Sequence, residues 1–164
     1  MKISLQKATL RLTELFSLSF LRVLKPKGNT KDSKADLIPL IILNIKKTEY
    51  KKIKSYRTKD GAIIRELMHP DIFHDVKQSL AEATIPVGSE TLLHRHLRSD
   101  EIYYVTQGHG MMFVGDEKFN VGSGDTIYIP SGTLHKIRNI SDTPLTILCF
   151  CCPPYSHKDT ELQA

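Results

Sequence analysis

The chain has 164 residues, a formal charge of +5 and three cysteines, Cys149, Cys151 and Cys152, clustered near one end. That length can bury a single core without staples, and an odd cysteine cluster does not resemble a secreted disulfide framework, so a reducing compartment, the cytoplasm, is expected. No run of roughly 18 apolar residues offers a membrane span, and the positive charge is confined: residues 1–60 hold 15 Lys+Arg and 5 Asp+Glu, a balance of +10, whereas residues 61–164 hold 8 and 13, a balance of −5. The acidic balance of the patterned part argues against a nucleic-acid partner there.

The first segment, MKISLQKATLRLTELFSLSFLRVLKPKG, is rich in Lys, Arg, Ser and Leu with Glu14 its only acid. Its composition suits an organelle transit peptide or an amphipathic surface helix, and a third reading gives it no part in the fold at all. Lys25 to Asp36, KPKGNTKDSKAD, reads as a linker, so residues 1–38 form an N-terminal extension and residues 39–155 the expected domain. Past that boundary come short apolar or alternating runs, from LIPLIILNI through AIIRELM, SLAEATIPV, EIYYVTQ, GMMFVG and DTIYIP to LTILCFC, parted by turn signals such as Asp60-Gly61, Gly115-Asp116 and Gly122 to Gly124. About ten short strands and little helix predict an all-β sandwich or barrel. PPYSHKDTELQA closes the chain, with residues 156–164 expected as a tail that packs on the barrel or on a partner subunit.

Within this pattern LHRHLRSDEIYYVTQG poses a chemical question. His94 and His96 share one strand face, and Glu101, Tyr103 and Val105 share one face of the next strand, so polar groups converge where a core belongs. One inward histidine is usually a satisfied core residue. Two histidines and a glutamate aimed into one small barrel are costly to bury without a metal or a hydrogen-bond network. Tyr103 can donate a phenol hydrogen bond to a ligand or serve as core; Cys149 and Cys151 share a face that can meet the cavity. Arg65 and Glu66 offer a clamp for a carboxylate or phosphate, or else a surface ion pair. His69, His74, His109 and His157 lack partner spacing and are left outside the site.

With spacings written out, Gly88, His94, His96, Glu101 and Gly108 form one block and Gly124, Pro130, Gly132, His135 and Asn139 a second, 15 residues later. Both blocks resemble, position for position, the two motifs of the cupin superfamily. The resemblance covers residues 88–139 directly and, through the strand-rich context, roughly 50–155. It implies a double-stranded β-helix, or jelly-roll, barrel, while the strand pattern itself makes residues 88–108 and 124–139 each look like a hairpin carrying inward histidine. The resemblance further implies that His94, His96, Glu101 and His135 hold one divalent metal. Three imidazoles and one carboxylate suit Fe, Mn, Ni, Co, Cu or Zn and poorly suit Mg or Ca. An octahedral ion so held keeps two positions for water, substrate or dioxygen.

Cupins host many reactions, so the fold does not choose one. The reading favoured is a small metalloenzyme, similar to mannose-6-phosphate isomerase-like cupins, acting on a sugar, sugar acid or other carboxylate by isomerase, lyase or dioxygenase chemistry. Glu101 and Tyr103 are its candidate catalytic groups. The alternative is a non-catalytic, metal-dependent binding module for a small molecule. A homodimer is expected, because LIPLIILNI is an apolar strand that a neighbour can accept.

Overall fold

The computed structural model describes residues 44–163. The extension expected over residues 1–38, and all but the last two residues of LIPLIILNI, lie outside them. A single 3-10 turn, Tyr50–Lys52, leads into eleven strands: β1 Tyr56–Arg57, β2 Ile63–Met68, β3 Ser79–Ile85, β4 His94–His96, β5 Asp100–Gln107, β6 His109–Val114, β7 Glu117–Gly122, β8 Thr126–Ile129, β9 His135–Asn139, β10 Leu145–Cys152 and β11 Thr160–Leu162. They form two antiparallel sheets, one ordered β1-β2-β3-β10-β5-β8 and the other β11-β4-β9-β6-β7. This is the jelly-roll expected from the sequence.

Period-2 alternation decides which side chains go inside. In β10 the buried positions are Leu145, Ile147, Cys149 and Cys151, and in β5 Glu101, Tyr103 and Val105. Those rows meet Met112, Val121, Ile127, Ile129 and Ile137 in one core, where burying each large aliphatic contributes about 1.5–3 kcal/mol. Toward the opposite end of β3 the inward residues shrink to Ser79, Ala81 and Ala83, all buried. Small side chains there leave a cavity instead of a packed core.

Turn chemistry holds the register. Gly108, between β5 and β6, has φ +84°, and a Cβ at that position would lie 2.9 Å from the Pro144 carbonyl oxygen, so both conformation and space require glycine. Asn139 fixes the next corner: its amide donates to Ile85 O at 3.0 Å and Thr143 O at 2.8 Å, while its side-chain oxygen accepts from Ser141 N at 2.8 Å.

One expectation needs correction. Neither motif block is a hairpin, because β4 and β5 lie in different sheets, as do β8 and β9. The short connections at 97–99 and 130–134 carry the chain across the sandwich, as jelly-roll topology demands. The ligand-type residues therefore face one another between the sheets. The C-terminal residues pack on the barrel: β11 pairs with β4 in the register Thr160↔His96 and Leu162↔His94.

Candidate metal centre

His94 and His96 project inward from β4, Glu101 from β5 and His135 from the start of β9, and all four are buried. His94 lies directly opposite His135 in the β4–β9 pairing, with ring centroids 4.2 Å apart. Glu101 enters from the other sheet, its Oε2 lying 3.3 Å from His96 Nε2 and 3.2 Å from His135 Nε2. One ligand atom from each residue fits within a sphere where none is more than 4.8 Å from another. A group of this kind can hold a metal ion.

The backs of the rings settle their tautomers. His94 Nδ1 lies 2.8 Å from Leu92 O and His135 Nδ1 lies 2.9 Å from Thr133 O; a carbonyl only accepts, so both nitrogens carry the proton. His96 Nδ1 meets Thr160 Oγ1 at 3.2 Å, and that hydroxyl already donates its single hydrogen to Ser156 O at 3.0 Å. His96 Nδ1 must therefore be the donor. All three Nε2 lone pairs point at the common centre, an arrangement used by metal-ligating histidines.

Two of the atoms facing that centre, Glu101 Oε2 and His135 Nε2, are buried without a hydrogen-bond partner among the described residues. Burial opposes ionisation of Glu101, yet the facing His135 and His96 outweigh it and hold the carboxyl well below its ordinary value. Burial and the nearby His135 push His94 down. At His96 burial also pulls down, but the Glu101 carboxylate prevails and raises it. A carboxylate facing imidazole lone pairs calls for a cation between them, either a proton or a metal ion. The donor set of three nitrogens and one oxygen fits a transition metal.

Beside the cluster lies a cavity of about 50 Å³. Its wall includes Ala81, Ala83, Tyr103, Cys149 and Cys151, with Asp60 and Glu66, and among the described residues contains no lysine or arginine. Cys151 Sγ donates to Glu101 Oε1 at 3.4 Å, occupying the carboxylate oxygen turned away from the histidines. Burial, then Glu101, pushes the Cys149 and Cys151 thiols up, so they stay protonated. The same two causes push Tyr103 up. Its ring stands edge-on to His135 at 6.0 Å, and its hydroxyl makes no hydrogen bond among the described residues.

The clamp offered by Arg65 and Glu66 does not form, because neighbours on a strand face opposite ways. Arg65 turns outward, bonding to Ile53 O and approaching Glu82 at 3.9 Å. Glu66 turns to the cavity, accepts from Tyr56 OH at 2.8 Å and keeps Oε2 buried and unpartnered. Burial raises its carboxyl, and the Tyr56 hydrogen bond offsets part of that. Glu66 and Tyr155 also line an outer groove with Tyr56, His69 and His157, so they stand where the cavity meets the outside. His69, His74, His109 and His157 stay out of the cluster. Tyr155 and Thr160, both in the wall, carry no sequence signal: Tyr155 lies in irregular chain, and the three-residue strand of Thr160 leaves too short a period to read.

A family model described as a cupin domain matches residues 81–151. An uncharacterised protein of Methanocaldococcus jannaschii is 63% identical over 123 residues, 75% of this chain and 98% of its own length. An oxalate-binding protein of Thermotoga maritima is 29% identical over 98 residues, 59% of this chain and 81% of that protein. Among solved structures, a predicted oxalate decarboxylase from Thermotoga maritima superposes with a TM-score of 0.57 at 25% identity, covering 64% of this chain and 96% of that one. Oxalate decarboxylase of Lactobacillus farciminis, solved with formate, gives 0.60 at 26% identity over 68% of this chain but only 34% of that protein. With both motif blocks in place on a jelly-roll of two sheets, the chain belongs to the cupin family.

Proposed function

We propose that the protein holds one divalent transition metal on His94, His96, Glu101 and His135 and acts on a small carboxylic acid of about oxalate size. The carrying observation is the cavity. At about 50 Å³ it admits a few atoms, since a water needs roughly 10–15 Å³ of such space. Among the described residues its wall offers no lysine or arginine and carries Asp60 and Glu66, so the acid's charge would fall to the metal alone. The relative named as oxalate-binding and the oxalate decarboxylase neighbours support the same ligand class. A sugar or sugar acid, also expected from the sequence, fits a cavity of this size less well than an acid of about oxalate size.

The metal would supply Lewis acidity and a cationic anchor for the acid. The chain's own residues do the rest. Three imidazoles locked by Leu92 O, Thr133 O and Thr160 Oγ1 preset the ligand geometry. The alanines and Ile147 give the cavity an apolar side, alongside polar groups such as Asp60, Glu66 and Ser79. Glu66, raised by burial and hydrogen-bonded to Tyr56, can hold a proton and pass it into the cavity. That group favours an enzyme of lyase or isomerase type; Tyr103 serves as wall and hydrogen-bond donor to the acid. Dioxygenase chemistry would follow if the metal is iron.

A non-catalytic binder is the second reading, favoured by the oxalate-binding relative. Calorimetry of oxalate and succinate against metal-loaded protein, followed by assays for carbon dioxide and formate, separates the two. Binding with turnover supports the enzyme and binding without it the module. An absence of oxalate binding in metal-loaded protein overturns the ligand class.

A homodimer in the cytoplasm, with no nucleic-acid partner, completes the reading. Besides the apolar run 37–45, the outer face of the six-stranded sheet exposes Ile102, Tyr104, Tyr128 and Phe150, which supports self-association. A monomeric mass in light scattering at micromolar concentration contradicts it. Among the described residues no helix is long and apolar enough to cross a membrane.

A further inference from the structure

The segment after β10 crosses from one sheet to the other and meets the metal cluster at His96, through the Tyr155 ring and the Thr160 hydroxyl. Tyr155 anchors first: its N–H donates to Ser79 Oγ at 2.9 Å, its carbonyl meets His69 Nε2 at 3.0 Å, and its ring packs edge-on against His96 at 5.6 Å. Asp159 comes next and is buried. Its carboxylate accepts from Arg98 N at 3.3 Å, Ser99 N at 3.1 Å, Ser99 Oγ at 2.9 Å and Arg98 Nε at 3.1 Å, while its carbonyl accepts from Leu97 N at 2.9 Å. Residues 97–99 are the connection between His96 on one sheet and Glu101 on the other. Thr160 then accepts from His96 Nδ1, and Gln163 N donates to Leu93 O at 2.9 Å.

We propose that the C-terminal segment Tyr155–Gln163 is a built part of the metal centre, with Thr160 and Asp159 as positioning residues. Thr160 fixes the tautomer and ring angle of His96. Asp159 fixes the length and direction of the connection that carries Glu101 to His96. The inference rests on the four-residue centre assigned above and adds residues that no sequence motif includes. Coupling of this sort runs both ways: whatever the strap does for the ion, the ion does for the strap.

The test compares Thr160→Val, which keeps the shape and removes the hydroxyl, with Thr160→Ser, which restores it. Zinc affinity by competition with a chromogenic chelator is expected to fall about 10–100-fold in T160V and recover in T160S. Equal affinity in T160V and the parent, or a loss that T160S does not rescue, overturns the proposal. A measurement on the unaltered protein stands beside it: zinc is expected to slow amide exchange at Gln163 more than at Phe119 on β7, and equal slowing contradicts the coupling. A metal-free readout keeps the inference separable from the metal assignment. At alkaline pH, where imidazoles are neutral, 15N shifts are expected to show His96 as the Nδ1–H tautomer in the parent and a mixture in T160V. If the parent takes up no zinc, the metal assignment falls, while a mixed tautomer in T160V still supports Thr160 as the positioning group and an unchanged tautomer overturns it.

Discussion

His96 Nε2 lies 3.3 Å from Glu101 Oε2 although the two residues stand on opposite sheets. The contact spans the sandwich, so anything that binds both atoms ties the two sheets together. Metal loading is therefore expected to raise the melting temperature as RT ln(1 + [L]/Kd), about 4 kcal/mol at a thousandfold excess over Kd. His96→Ala should abolish most of that increase, and His109→Ala, at the exposed start of β6 outside the cluster, should leave it intact. Thermal scans with and without zinc check both; an equal metal-induced shift in H96A and parent removes His96 from the centre.

Stability of the metal-free protein should depend on pH in a way set by three groups. Glu101 is lowered from 4.5, so its contribution is present above that value and lost as pH falls through its folded pKa. His94 is lowered from 6.5, so stability falls as pH drops below 6.5. His96 is raised from 6.5, so its contribution is complete below 6.5 and lost as pH rises through its folded pKa. The metal-free protein should thus be most stable near pH 6.5, from the ordinary histidine values. Metal binding needs neutral imidazoles, so the loaded protein should gain stability above that pH instead. Melting curves across pH, with and without zinc, decide; a flat metal-free profile contradicts the assigned shifts.

The cavity makes a prediction separate from the metal. Ala83→Leu adds a branched side chain to a wall that Ala81, Ala83 and Ser79 keep small. It should cost about 1–3 kcal/mol through overpacking and exclude an acid ligand while leaving metal content unchanged. Calorimetry beside elemental content reads both, and a variant that binds acid as the parent does places the ligand elsewhere.

Thiol chemistry should follow burial. Cys152 is exposed, while Cys149 and Cys151 are buried and held protonated. A disulfide reagent is expected to label one thiol quickly in the native protein and three in denaturant. Rapid labelling of three in the native state would mean the cavity is open to solvent.

Much of the centre is legible in the sequence because His94, His96, Glu101 and His135 sit in fixed spacings with turn residues around them. Parity along the strands gives which residues face inward, Cys149 and Cys151 included. What parity cannot give is partnership between strands: β4 and β5 are close in sequence yet belong to different sheets, and only the crossover topology sends Glu101 to meet the histidines from across the core. Arg65 and Glu66 illustrate the local counterpart, since adjacent residues on a strand cannot clamp one ligand. β11 is hardest to read, with three residues whose role rests on long-range pairing with β4.

Asp159 offers a stability test of the same long-range contacts. Removing a carboxylate that accepts from the buried amide and hydroxyl of Ser99 should cost about 1–3 kcal/mol, because those donors lose their partner while the exposed Arg98 guanidinium is free to hydrate. Denaturant melts of Asp159→Ala check it, and a loss under about 1 kcal/mol, the size of an exposed pair, would mean the segment is not held as described.

The central claim is the four-residue metal centre, and the most direct measurement is the elemental content of untagged protein by plasma mass spectrometry beside His94→Ala. About one equivalent of iron, manganese, nickel, cobalt, copper or zinc in the parent, lost in H94A, is the expected result. No metal in the parent, as purified and after reconstitution, would contradict it.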